Sequence, residues 1–215
     1  MDSDFVYVVK DIVPKSFCNQ IIKKFEEDKK FHKCGMMGDS DHQTLNKNWK
    51  NSTEIHLGIH DEWNDVNNKL CNYIDCAFSK YIDQVVEFLI KKCEPDGEDD
   101  SQFALYYSLG TCFSFGNFSI QRILKNNRYR WHNDEQPSQS SLALTFILYL
   151  NTLEPSEGGK TKFISGKEVR PVAGNILFFP STWTCIHSGE RVHGDAKYIL
   201  VGSIYREGGE KYKGK

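Results

Sequence analysis

The chain has 215 residues, a length that suits one domain with a real core. Hydrophobic residues make up 39% and charged residues 26%, an ordinary globular composition, and the net charge of −2 argues against nucleic acid or an anionic membrane surface as the main partner. The apolar run Phe5–Val9 is too short for a signal sequence and no stretch approaches transmembrane length, so a soluble intracellular protein is expected.

The chain carries seven cysteines, an odd number with no CxxC pair, which fits reduced thiols better than a disulfide framework. Phe5–Val9 is β-branched and aromatic and reads as a short strand. Phe17, Cys18, Ile21, Ile22 and Phe25 then recur at helical spacing, with Ser16 as the expected N-cap. Residues 33–52 have no period and many turn formers, the pattern of a lid or loose segment. Thr53–Leu57 alternates like a half-buried strand.

A long helix is predicted from about 62 to 93, with Trp63, Val66, Leu70, Ile74, Ala77, Tyr81, Val85 and Leu89 on one face. It stops at the turn Glu94-Pro95-Asp96-Gly97. From about 103 the pattern changes to short apolar or alternating runs: 103–109, 118–124, 142–150, 161–164, 175–179, 185–187 and 198–205. Many short strands punctuated by turns read as a β-sandwich or barrel. The expectation is one α+β domain over 1–215, with 1–100 mainly helical support and lid and 101–210 the sheet core.

His132 and Asp134 stand two apart, the spacing that puts both side chains on one face of a strand. His187, on a later predicted strand, supplies a third ligand. Two histidines and one carboxylate leave open positions on an octahedral ion, an arrangement suited to non-haem Fe(II) that must also bind a co-substrate and O2. His193-Gly194-Asp195 repeats the His-x-Asp pattern, but no histidine follows it. Lys197 lies ten positions after His187 with glycines between, which reads as a hairpin with the two residues on adjacent strands. A cation there could hold the far carboxylate of a dicarboxylic acid chelated to the metal.

These residues resemble a family. The string Asn175 to His187, then Val192 to Leu200 with Lys197 inside it, is similar to the end of an Fe(II)/2-oxoglutarate dioxygenase of the prolyl 4-hydroxylase type. Leu144–Asn151 and Gly158–Phe163 resemble that family's central strand and Gly-Gly turn, and Tyr129, three before His132, is also similar. The likeness covers roughly 115–206 well and the N-terminal part more loosely. It implies a double-stranded β-helix (jelly roll) flanked by helices, and Fe(II) held by His132, Asp134 and His187. It also implies 2-oxoglutarate and O2 as co-substrates, with Lys197, Thr145 and Tyr129 in the co-substrate pocket and ascorbate as a candidate reductant. The activity implied is hydroxylation of an unactivated C–H, with a prolyl residue of a peptide or protein as first candidate and succinate as co-product.

The outer shell departs from the family. Ile123 stands where a tyrosine is common, Leu142 where an arginine is, and Ser203 where a tryptophan is. Chemistry is therefore better marked than substrate. The same chemistry on a small molecule or another amino-acid side chain stays open, as does a non-catalytic jelly-roll binding module. Trp131, Trp183 and Arg122 are candidate substrate or lid residues; for Trp183 the competing reading is packing at the barrel mouth, and for Arg122 and Gln121 it is a solvated face. Cys185 reads as a small buried filler. Gly158-Gly159 reads as a turn with positive φ.

Overall fold

The computed structural model describes residues 5–38, 44–93, 113–135 and 141–206. The turn expected at 94–97 and the strand at 103–109 lie outside those residues. In chain order the strands and helices begin with β1 (Tyr7–Val9), α1 (Lys15–Glu27), β2 (Lys33–Cys34), β3 (Thr53–His56) and α2 (Asn64–Cys93). There follow β4 (Phe113–Phe115), β5 (Ser119–Leu124), β6 (Tyr129–His132) and β7 (Leu142–Tyr149). The last are β8 (Thr161–Phe163), β9 (Glu168–Val169), β10 (Ile176–Pro180), β11 (His187–Gly189) and β12 (Ala196–Arg206).

Helix α1 buries Cys18, Ile21 and Phe25, one face at the 3–4 spacing of a helix. Its start differs from expectation. Pro14 takes the N-cap position and its carbonyl accepts the amides of Phe17 and Cys18, so Ser16 lies inside the first turn and caps nothing. A proline fits there because its fixed φ precedes the helix without requiring an amide. Helix α2 buries Leu70, Ile74, Ala77, Phe78, Tyr81 and Val85, and Trp63 is buried in the short 3-10 turn before it.

Two antiparallel sheets carry the rest. The larger runs β1-β10-β7-β12-β5-β3-β2, with β4 added on β12; the smaller runs β6-β11-β8-β9. The period of two in each central strand decides which core a side chain joins. Phe146 and Leu148 of β7, Phe178 of β10 and Leu200 of β12 face the helices and pack with Ile21, Phe25, Ile74 and Tyr81. Their neighbours Ile147, Tyr149, Leu177, Phe179 and Ile199 face the other way and pack with Phe163 and Val169 of the smaller sheet. Each such fully buried side chain contributes about 1.5–3 kcal/mol of transfer free energy. Helices outside one sheet, with a second sheet facing its inner side, give the jelly-roll arrangement expected.

The hairpin expected between His187 and Lys197 is not formed. His187 on β11 pairs with His132 of β6 on one side and Phe163 of β8 on the other, so both edges of β11 are taken. Lys197 lies on β12 in the other sheet, paired with Ile123 of β5. The connecting residues carry the chain from one sheet to the other, and Lys197 and His187 line one cavity between the sheets.

Candidate metal centre and its cavity

His132 and His187 are direct partners in the β6–β11 register, which brings their rings to 4.2 Å. Asp134 lies two residues on, past the end of β6, and not on the strand as its spacing had suggested. Its carboxylate still reaches both rings: Oδ1 is 3.6 Å from His132 Nε2 and Oδ2 is 3.7 Å from His187 Nε2. One donor atom from each of the three residues lies within 4.8 Å of the others. Among the described residues no other such group of three or more occurs, and His193 and Asp195 join none.

The hydrogen bonds on the far side of each ring fix what the near side offers. His132 Nδ1 is 2.7 Å from the carbonyl of Arg130, and His187 Nδ1 is 3.1 Å from that of Cys185. A carbonyl can only accept, so both Nδ1 atoms carry the proton and both Nε2 lone pairs point at the centre. Burial, and then the neighbouring His187, pull the His132 pKa down to about 4 against the opposing pull of Asp134. The ring is therefore neutral at pH 7, and its approach to Asp134 is a convergence of donors, not an ion pair. Two imidazoles and a carboxylate, with no thiolate, form a donor set that fits a divalent iron.

Thr145 is placed at this centre, not beside Lys197 as the family likeness implied. Its hydroxyl donates to Asp134 Oδ2 at 2.6 Å and lies 2.9 Å from the Ser181 hydroxyl. Tyr149, whose ring lies 5.5 Å from the Lys197 ammonium, is four residues further along β7, about 13 Å of strand. The hydroxyls grouped at the lysine end are instead those of Tyr149 and Thr161, 2.8 Å apart.

Lys197 is 4% exposed, and its ammonium makes no hydrogen bond or ion pair among the described residues. Burial lowers its pKa from 10.5 to about 8, opposed only by the charge of Glu190. That carboxylate is itself held by Lys162 at 2.7 Å. A buried cation without an anion is costly, and this one lines the same cavity as the triad. The cavity, about 290 Å³, is also lined by Tyr129, Thr145, Thr161 and Gln121. From the segment expected as a lid, Met36, Met37, Gly38, Lys50, Asn51 and Ser52 line it, while 39–43 lie outside the described residues.

Tyr129 lies flat on the His132 ring at 3.6 Å, and Lys50, paired with Glu54 at 2.7 Å, sits over its other neighbourhood at 5.2 Å. A bulge explains why Tyr129 and His132, three apart, both face the cavity: three residues of β6 span what two residues of β11 span. Trp131 falls between them, turns outward and is 47% exposed. Trp183 is 67% exposed near the tip of a turn closed by the Cys185 amide on Thr182, so it is not packed at the barrel mouth. Arg122 turns away as well. Gln121 and Ile123 face the cavity, so the residue between them must face helix α1, where Glu26 takes its guanidinium at 2.9 and 2.7 Å. Cys185 is buried in the inter-sheet core, as expected.

Sequence reasoning missed Tyr149, Thr161, Ser181 and Lys50. For the first, strand alternation from Thr145 was a usable signal; the others depend on which loop meets which strand.

Residues 118–205 match the family model described as the 2OG-Fe(II) oxygenase superfamily. Among curated proteins no sequence matches the chain. The fold is similar to that of a prolyl hydroxylase from Trichoplax adhaerens solved with a hypoxia inducible factor peptide fragment: 14% identity, TM-score 0.63, covering 100% of this chain and 89% of that one. It is also similar to a Pseudomonas putida prolyl-4-hydroxylase, with 16% identity, TM-score 0.60 and coverage of 96% and 95%. A third is the viral collagen prolyl hydroxylase of Paramecium Bursaria Chlorella virus-1, solved with 2OG, with 16% identity, TM-score 0.55 and coverage of 96% and 98%. The segment that matches the 2OG-Fe(II) oxygenase superfamily model contains both histidines, the aspartate and Lys197, and the fold around it is similar to that of the solved prolyl hydroxylases.

Proposed function

We propose that this chain is an Fe(II)- and 2-oxoglutarate-dependent dioxygenase that hydroxylates a prolyl residue of a peptide or protein. One observation carries the reading: two Nε2 atoms and the Asp134 carboxylate converge in the cavity that also holds a buried Lys197 with no ion-pair partner among the described residues. A binding module has no need of that combination.

His132, Asp134 and His187 would hold the metal. Fe(II) with 2-oxoglutarate, when bound, supplies O2 activation and the oxidising power for C–H hydroxylation, releasing succinate and CO2. Lys197 orients the co-substrate by its distal carboxylate, with the hydrogen-bonded Tyr149–Thr161 hydroxyl pair supplying one further donor; a buried ammonium–carboxylate pair needs such an additional hydrogen bond. The His132 and His187 tautomers are set by backbone carbonyls, so neither ring must reorganise to bind metal. Tyr129, stacked on His132, fixes that ring's plane and lines the cavity in which the co-substrate would sit.

Ile123, Ile147, Phe179 and Ile199 give the cavity an apolar wall, which would limit water around the bound co-substrate. A cavity of about 290 Å³ is at the small end for ligand sites, which favours a single protruding side chain beside the co-substrate. A peptide substrate also agrees with the peptide bound in the similar Trichoplax adhaerens enzyme. Ascorbate as reductant belongs to the same proposal.

The test is succinate formation from 2-oxoglutarate with Fe(II) and O2, with and without proline-containing peptides and ascorbate, beside His187→Ala. Turnover that rises with peptide and vanishes in the variant supports the proposal. Turnover that no peptide stimulates removes the prolyl substrate and leaves a small molecule or another side chain. Absence of both turnover and iron-dependent 2-oxoglutarate binding removes the enzyme.

A further inference from the structure

The Asp134 carboxylate has two oxygens, and the protein treats them differently. Oδ2 accepts the Thr145 hydroxyl at 2.6 Å, the short distance of a charge-assisted bond, while Oδ1 accepts from no protein donor among the described residues. Proton counting fixes the direction of the chain behind it. A carboxylate oxygen accepts, so Thr145 donates. Its single proton is then used, and the Ser181 hydroxyl, 2.9 Å away, must donate to the Thr145 oxygen. Both hydroxyls are buried, Thr145 at 3% and Ser181 at 1% exposure, so water does not compete for either.

Strand pairing makes the arrangement rigid. Thr145 on β7 is held between Phe179 of β10 and Ser203 of β12, and the Ser181 amide is tied to the Ala143 carbonyl at 3.1 Å. Asp134, by contrast, stands beyond the end of a four-residue strand, where its backbone alone would leave the carboxylate free to rotate.

We propose that Thr145, backed by Ser181, is a positioning residue that claims Asp134 Oδ2 and so makes Asp134 a one-atom ligand through Oδ1. This rests on the metal-centre reading above. Its consequence is the number of open positions. Three one-atom donors leave three sites on an octahedral ion, enough for a two-atom co-substrate and O2; a carboxylate bound through both oxygens would close one of them. The Ser181→Thr145→Asp134 chain also polarises along its length, which strengthens the terminal bond.

The experiment uses the full-length protein, freed of metal, and Co(II) alone as the probe. Affinity is read by calorimetry and coordination by the visible absorption of the bound ion. Thr145→Val keeps shape and removes the donor. The expected result is Co(II) binding weakened by roughly 10- to 100-fold, the range for loss of a group that orients a metal ligand. A changed absorption spectrum and loss of the third exchangeable site, seen as weaker 2-oxoglutarate binding to the Co(II) form, should accompany it. Thr145→Ser restores the hydroxyl and should restore both affinity and spectrum, a rescue that a purely packing role would not give. Ser181→Ala should move both in the direction of Thr145→Val by a smaller factor, and it keeps the inference testable should Thr145→Val fail to fold. Thr145→Val or Ser181→Ala protein with the wild-type affinity and spectrum would overturn the inference alone. Wild-type protein that binds no Co(II) would overturn the metal centre itself.

Discussion

Lys197 should be a residue whose removal stabilises the protein while weakening co-substrate binding. The side chain is buried, its ammonium has no acidic partner among the described residues, and its pKa is lowered from 10.5 to about 8. Below pH 8 both folded and unfolded chains carry the proton, and the folded state bears the full dehydration cost, roughly 3 kcal/mol at pH 7. Between 8 and 10.5 the folded protein releases the proton first, so stability rises with pH; above 10.5 the effect is complete. Lys197→Met replaces the ammonium with a chain of similar length that packs well in irregular space. Metal-free protein should gain about 3 kcal/mol at pH 7, or ~6–12 °C in Tm for a chain of this size. At pH 9.5 the gain should be smaller by about 2 kcal/mol. The assay is thermal and denaturant unfolding at both pH values, then repeated with Co(II) and 2-oxoglutarate. Co-substrate at a hundred times its wild-type Kd should add about 2.7 kcal/mol to the wild type and much less to the variant, which keeps only the metal end of the site. A variant no more stable than wild type, or one whose gain is the same at both pH values, would show that the ammonium is hydrated in the apo cavity and refute the reasoning.

Three further outcomes follow from the same geometry. The affinity for 2-oxoglutarate should weaken as pH rises through about 8, because the Lys197 cation is lost, by up to ~10-fold per pH unit; 2-oxobutyrate, lacking the distal carboxylate, should not show that loss when titrated in parallel. Lys50→Met should destabilise by about 3 kcal/mol, because it removes the ammonium 2.7 Å from the buried Glu54 carboxylate and leaves it the Ser52 hydroxyl and the more distant His56 ring, and Lys50→Met with Glu54→Leu should recover most of it; denaturant midpoints at constant m check both. Gly158→Ala should cost about 1–3 kcal/mol, since φ 67 and ψ −141 is a conformation almost confined to glycine and the added carbon would strike the Arg191 carbonyl; thermal unfolding measures it.

What could be read from the sequence, and what could not, divides along the range of the interactions. The strands around β7 and β10 were legible as short apolar runs, and a period of two divides such a run between two faces whatever lies opposite. His132 and Asp134 were legible because two residues cannot be far apart. The placing of Lys197 failed because distance along the chain says nothing about which sheet a strand joins; β11 has both edges occupied by β6 and β8, and only the pairing reveals that. That Tyr129 shares the side of His132 was not legible, because it depends on a bulge, and a bulge is set by the partner strand as much as by its own residues. Arg122 was an open choice whose answer lay in Glu26, 96 positions away on a helix.

Thr145 shows the limit most clearly. Its hydroxyl was expected at the lysine end because the family likeness places a hydroxyl there, yet that end is already furnished by Tyr149 and Thr161. The metal end is where a donor is missing. His132 and His187 each have a backbone carbonyl to orient them, a partner the strand provides without any side chain. Asp134 sits past the strand, and no backbone amide among the described residues donates to its carboxylate. A side-chain donor from another strand is the remaining way to hold it, and β7 passes there with a threonine facing inward. The same alternation that puts Tyr149 under Lys197 therefore puts Thr145 under Asp134, so one strand sets both ends of the co-substrate site. Shifting the β7 register by a single residue would expose Phe146 and Leu148 to the cavity and remove both hydroxyls at once. The apolar residues that pin that register, packed against α1 and α2 on the far face, are accordingly as necessary to the site as its polar groups.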